Sequence, residues 1–509
     1  MDLSLSGPPE DAPGVLFVTD NGHGLGHLTR MLAVARQAEG RFRPLFLTLS
    51  EAYPILKDWG YPVEYVPSYR KMGLARASFQ PILAHRLLAL LHHVRPRAIV
   101  VDHIHPLPVL GQIRGRSSGI EWIWCRRGMW RRGSNVSALA QSESFDTILE
   151  PGDVAAAMDV GATTYDRERV VTVPPVVLIS PEEQLPRDRA REHLGIPQDG
   201  TAVLIQLSDS DAGKLAALIG RVRDVVRKVA GPDTVLFAPL HILHRGRLPE
   251  IEGVIMKRVY PVSRYLMAFD AVVSTAGYNS YHEVVASGVP AVFVARDANS
   301  LDDQKRRAEF AALSGRAFYA RGVAGDDFVE AVSHALRPGE REIAARVTAE
   351  LGSCDGAREA ADFLASQVRV RRWEPIEVAT VESLGIRSVP LPYRSGEMDP
   401  DTDPATVPAV GFILTGSDEN RIREQVSRVA ERHAAEGGAF RPVFLIDAVD
   451  PIIFSGTGFI FETVFTREEW ESFAPGPYDE YMKRRVKSFA SAYHLARTED
   501  LQSGPVNTP

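Results

Sequence analysis

Two stretches of this chain carry residue types that could do chemistry. The first, Asp20-Asn-Gly-His-Gly-Leu-Gly-His-Leu-Thr-Arg30, follows the apolar run Val15-Leu-Phe-Val-Thr19. Gly22, Gly24 and Gly26 make a loop that can pass close to a ligand, with a helix expected from about Leu28. His27 in that loop would stand at a strand's carboxyl end, and an imidazole that titrates near neutral pH can take the proton of a hydroxyl. His23 is its nearest competitor. Asp102 ends another apolar run, Ile99-Val-Val101, and is expected at the same sheet edge. There its carboxylate could hold the His27 ring and stabilise the protonated form; the alternative is an Asp that only caps a turn.

The second stretch runs from Phe269 to Gln304. Ala271-Val-Val-Ser-Thr275 reads as a buried strand, Ala276-Gly277 as a sharp break, and Asn279 as the cap of a helix that stops at Gly288. Pro290 and a further strand, Ala291 to Ala295, follow at once. Such a unit leaves free backbone N–H groups at a helix N-terminus, over the crevice where parallel sheets bind ligands. A diphosphate fits there without any basic side chain. Glu283, one turn into the helix, would then reach ribose hydroxyls. Ser300 is expected to cap another helix, with Asp303 and Gln304 in the loop between.

This second pattern resembles the donor-binding signature of UDP-sugar glycosyltransferases of the GT-B fold, including the enzyme that adds N-acetylglucosamine in making lipid II. The parts stand in order as Gly277-Tyr278-Asn279-Ser280, Glu283, Gly288-Val289-Pro290 and Asp303-Gln304. The resemblance implies that Thr275, Gly277, Asn279 and Ser280 hold phosphates, Glu283 the ribose, and Gln304, with Asp303 before it in the donor site, the sugar hydroxyls. It further implies that Ser208 lies against the phosphates and that a backbone amide near Val259 reads the base. One departure is Thr275, where secondary-metabolism members have a histidine. Gly26-His27 corresponds to a Gly-His pair that faces the acceptor in this family, and some inverting members use an Asp at the place of Asp102. The spacing Gly22-x-Gly24-x-Gly26 is not the dinucleotide G-x-G-x-x-G, which argues against NAD.

These residues need two parallel α/β domains to position them, and the chain is long enough for both. It has 509 residues, 45% hydrophobic and 24% charged, with net charge −7, the composition of a soluble globular protein. Mild acidity argues against nucleic acid as a partner, since phosphates need a basic face. Cys125 and Cys354 are the only cysteines, too few for a disulfide framework or a Cys-based metal site. His103 and His105 lack companion ligands, so no metal is expected and no cofactor beyond the nucleotide-sugar co-substrate. The opening residues lack a basic and an apolar region, and no run of 18 apolar residues occurs. A cytoplasmic enzyme without a membrane span is the expectation.

Apolar runs alternating with helical stretches give an α/β protein with doubly wound parallel sheets. The resemblance implies the GT-B arrangement, two Rossmann-like domains facing a cleft, to which this chain adds a C-terminal α/β extension. The expected division is a loose tail over 1–13, an acceptor domain over 14–180, a donor domain over 196–368, a linker over 369–408 and the extension over 409–509. Trp122, Trp124 and Trp130 with Arg126, Arg127, Arg131 and Arg132 form a basic aromatic stretch. It reads as a strand with inward tryptophans and a solvated arginine loop, the alternative being contact with a phosphorylated acceptor or a membrane surface. Arg245, Arg247 and Lys257 read as surface charges.

The extension has a clue of its own. Phe42-Arg-Pro-Leu-Phe-Leu47 is echoed by Phe440-Arg-Pro-Val-Phe-Leu445, and at the same offset Glu64 meets Glu462 and Val66 meets Val464. Residues 409–465 are therefore expected to copy the first β-α-β-β portion of the acceptor domain, without its glycine loop or histidine. A non-catalytic role follows, docking on the core or forming a homodimer contact. The function expected is an inverting, metal-independent glycosyltransferase using a nucleotide sugar, most readily a UDP-sugar, with an unspecified acceptor. A nucleotide-sugar 2-epimerase of the same fold and an inactive nucleotide-sugar-binding scaffold are the alternatives.

Overall fold

The computed structural model describes residues 12–20, 25–207, 209, 211–240, 242, 250–294, 302–350, 354–386, 407–416, 418–447, 450–474 and 476–501. Most of the apolar runs become strands buried on both faces, as the interior of a parallel sheet requires, while some edge strands stay partly exposed. The first sheet holds β1 (Gly14–Thr19), β2 (Arg43–Thr48), β3 (Val63–Tyr65), β4 (Ala98–Asp102), β5 (Glu121–Cys125), β6 (Thr147–Pro151) and β7 (Val170–Val173), in the order β3-β2-β1-β4-β5-β6-β7. The second holds β8 (Ala202–Gln206), β9 (Val235–Leu240), β10 (Val254–Arg258), β11 (Ala271–Thr275), β12 (Ala291–Val294) and β13 (Phe318–Ala320), in the order β10-β9-β8-β11-β12-β13. A third sheet holds β14 (Ala409–Leu414), β15 (Arg441–Ile446), β16 (Ile460–Thr463) and β17 (Leu495–Asp500), in the order β16-β15-β14-β17. Neighbours within each sheet run parallel, from Val15 beside Pro44 to Val443 beside Ile460.

Strand order reverses between β1 and β4 in the first sheet and between β8 and β11 in the second. Such switch points open a crevice beyond the strands' carboxyl ends. His27 follows β1 and Asp102 ends β4, so both meet at the first crevice. Thr275 ends β11 at the second.

The helix Gly356–Arg371, expected to close the donor domain near Val368, packs on the first domain instead. Ala357, Ala360, Ala361, Leu364 and Val368 lie on one stripe and share a buried cluster with Phe17 and Ile123. Arg371 Nε sits 2.7 Å from Glu121. The described first part of the linker, 369–386, is laid down on that domain too, where Glu377 bridges Ser118 and Ala379 is buried.

The third sheet repeats the order of β3-β2-β1-β4 and does so beyond the expected copy, which ended at 465. A helix, Tyr478–Tyr493, and β17 stand where the helix Arg76–Val94 and β4 stand in the first domain.

Candidate active site

The helix after the glycine loop spans Gly26–Arg36, two residues earlier than expected, so His27 lies in its first turn and not on the loop. Arg30 is then three residues on, on the same face. His27 Nδ1 is 2.7 Å from Asp102 Oδ1, and Arg30 grips the same carboxylate with Nε 3.0 Å from Oδ2 and Nη2 2.7 Å from Oδ1. His27, Arg30 and Asp102 are all buried. Burial alone would raise the Asp102 carboxyl; the Arg30 guanidinium, then His27, more than offset it and hold it down at about 2. An ionised Asp102 accepts the Nδ1 proton, which leaves the His27 Nε2 lone pair for a substrate proton. Two further buried groups complete this wall. His103, whose pKa is lowered by burial, has an Nε2 without a hydrogen-bond partner. Trp124 donates its indole N–H to the His103 carbonyl at 2.9 Å. His27, Arg30, Asp102, His103, Cys125 and Trp130 all line one narrow cavity.

Across the cleft, the helix Tyr278–Ser287 has Gly277 at its N-cap and no side-chain cap; Gly288 ends it in the left-handed conformation at φ 67°. Asn279 is therefore not the cap. Its amide reaches across the domains instead, and Nδ2 donates to the Gly26 carbonyl at 3.3 Å. The helix's first N–H groups consequently have no capping side chain. Asn279 Oδ1 and Gln304 Oε1 are buried without partners, and the Gln304 amide approaches within 4.0 Å of where a Cβ on Gly277 would stand. Such orphaned acceptors ask for donors from a ligand. Thr275 and Ser280 are half-buried beside this terminus.

Other candidates fall differently. Asp303 caps the helix Gln304–Leu313, accepting from the Arg306 N–H at 3.2 Å, a role the sequence suggested for Ser300. Glu283 is buried, and burial pushes its carboxyl up to about 7 despite a hydrogen bond from the Leu178 backbone. Val259 follows β10 and is half-buried beside Tyr260, whose hydroxyl is 2.8 Å from Thr29 Oγ1 of the first domain. Ser208, His23, Ser300, Arg245 and Arg247 lie outside the described residues. The arginine loop is solvated only in part: Arg132 is exposed, but Arg126 is buried and bonded to Asp166, and Arg127 pairs with Asp302 at 3.1 Å.

Three side chains to which sequence reasoning gave no role, Tyr278, Arg307 and His282, join the two domains. Tyr278 donates its hydroxyl to the Gly152 carbonyl at 2.9 Å and accepts from the Val176 N–H at 3.0 Å. Arg307 bonds both Asp302, at 3.1 Å, and Asp153 of the first domain, at 2.9 Å. His282 donates Nδ1–H to the Tyr278 carbonyl and accepts at Nε2 from the Val154 N–H, which fixes its neutral tautomer. Among the described residues no group of three or more His, Cys, Asp or Glu is disposed to hold a metal ion, and no helix is long and apolar enough to cross a membrane.

No protein-family model matches this sequence, and no curated protein matches it. Among solved structures the chain is similar to the glycotransferase of kitacinnamycin, at 19% identity and TM-score 0.51, over 70% of this chain and 99% of that one. It is similar to the spinosyn forosaminyltransferase at 14% identity and TM-score 0.51, again over 70% and 99%. At these identities the likeness is one of fold.

Proposed function

We propose that this chain, whose fold is the GT-B fold of those glycosyltransferases, transfers a sugar from a nucleotide-sugar donor to an acceptor hydroxyl with inversion and without a metal ion. One observation carries the reading. The His27–Asp102 pair lies against the uncapped N-terminus of the helix Tyr278–Ser287, with Asn279 bonded to the residue that precedes His27. That juxtaposition supports reading His27 as the proton acceptor and the helix terminus as the seat of a leaving diphosphate.

In this mechanism the acceptor O–H donates to His27 Nε2. As its oxygen attacks the anomeric carbon, the proton passes to Nε2 and the bond from that carbon to the diphosphate oxygen breaks. Asp102 stabilises the imidazolium, and the first N–H groups of the helix offset the charge on the departing nucleoside diphosphate. Asn279 Oδ1 and Gln304 Oε1 accept from ligand hydroxyls. The motif resemblance supports uridine as the base and Glu283 as the ribose ligand.

Glu283 gives the test. A carboxyl at about 7, against an ordinary 4.5, binds a proton that the unfolded chain has released. The fold therefore loses stability as pH rises from 4.5 to about 7, by on the order of 3 kcal/mol in total, and loses nothing below that window. Glu283→Gln should be more stable than the wild type at pH 8 and equal to it near pH 4 in urea unfolding. Ribose hydroxyls favour the ionised carboxylate, so UDP should bind the wild type more tightly at pH 8 than at pH 6, and Glu283→Gln should flatten that dependence in calorimetry. An unchanged pH profile in the variant would remove Glu283 from the nucleotide site.

A further inference from the structure

The third sheet matches the first in register as well as order. Val15 stands beside Pro44 and Leu47 beside Glu64; Val410 stands beside Pro442 and Leu445 beside Glu462. Phe17 stacks on Phe46 at 5.2 Å, and Phe412 stacks on Phe444 at 5.2 Å. The helices Arg76–Val94 and Tyr478–Tyr493 both end on a left-handed non-glycine residue, Arg95 at φ 45° and His494 at φ 50°.

The two units meet edge to edge through these same positions. Arg86 pairs with Glu64 of its own unit, and Arg485 pairs with Glu462 of its own at 2.6 Å. Each arginine also reaches across: Arg86 Nε is 2.8 Å from Glu462 and Arg485 Nε is 3.6 Å from Glu64. All four side chains are at most 1% exposed. Beside them the Tyr65 N–H donates to Thr463 Oγ1 at 2.7 Å, and those two residues hold equivalent places in β3 and β16. A contact from i to j answered by one from j to i is what two identical subunits make about a twofold axis.

We propose that residues 409–500 are a second protomer built into the chain. The face made by β3 and the helix Arg76–Val94 is a self-complementary dimer surface, and its partner is a second copy of the same unit carried in cis. The copy is equipped for docking and not for a second reaction. By register Val18 corresponds to Ile413, so Leu501 stands where the first unit has Asp102. No histidine occurs between Leu414 and the middle of the helix Glu419–Ala435 to answer His27. Its far edge, β17, carries Arg497 and Glu499, charges that blunt an open strand.

The test uses the full chain with a protease recognition sequence inserted between Glu397 and Met398. After cleavage the two pieces should migrate together in size exclusion at the size of the uncut 56.0 kDa chain. Reversing one pair, Glu462→Arg with Arg485→Glu, keeps the bond within the copy and sets like charges against Glu64 and Arg86. That variant should weaken the association by ~10²-fold or more, because uncompensated buried charge is costly. Adding Glu64→Arg and Arg86→Glu restores all four contacts and should restore co-migration, including where the double variant fails to fold. Separation of the wild-type pieces on cleavage would overturn the proposal. So would a double variant that stays associated, a fourfold variant that does not recover, or a wild-type dimer of whole chains that the double reversal dissociates.

Discussion

Replacing His27 by alanine is expected to lower turnover about 10²- to 10⁴-fold while leaving nucleotide-sugar affinity nearly unchanged, since a positioned general base contributes on that scale. The variant should fold normally. Arg30 keeps both bonds to Asp102 when the ring is gone, so no buried charge is left alone. Activity and donor affinity thus separate cleanly at this residue. A His27→Ala enzyme with wild-type turnover would place the base elsewhere, and His23 would be the next residue to replace.

Asp102→Asn should behave differently, and the reason is Arg30. The amide can still accept from His27 Nδ1, so the loss of turnover should be smaller than for His27→Ala. It cannot, however, neutralise a guanidinium that is 2% exposed. Breaking a buried pair by removing one partner costs about 3–5 kcal/mol, which urea unfolding will register directly. Removing both charges, with Arg30→Met in the Asp102→Asn background, should recover much of that loss. The wild type should show the same dependence with acid: a carboxyl held at about 2 contributes stability that is complete above about 4 and lost as pH falls through 2. An Asp102→Asn protein as stable as wild type would mean that Arg30 finds another partner.

The strands were legible because buried parallel strands are near-continuous apolar runs, and β11 was read from the sequence at Ala271–Thr275 with both ends in place. Helix starts were harder. No side chain caps the helix Gly26–Arg36, so the glycines pointed to a loop two residues too long, and that displacement hid Arg30 from the face it shares with His27. Asn279 has the chemistry of a cap, but its amide is taken up by a carbonyl from the other domain. The network joining the domains carries no local signal at all. Arg30 and Asp102 are 72 residues apart, Arg307 and Asp153 are 154 apart, and only the folded sheets bring them together. Likewise the helix Gly356–Arg371 shows a correct apolar stripe in its sequence, but nothing there says which sheet the stripe will cover.

The melting temperature of the full chain, measured with UDP-sugars, dTDP-sugars and GDP-sugars in the presence of a metal chelator, tests the central claim most directly, because a ligand of the native state raises its stability. The account predicts that a nucleotide sugar, and UDP-linked ones before the others, raises the melting temperature of wild type and of His27→Ala equally, and raises that of Glu283→Ala less. A panel in which no nucleotide sugar shifts the melting temperature, or in which His27→Ala abolishes the shift, would contradict it.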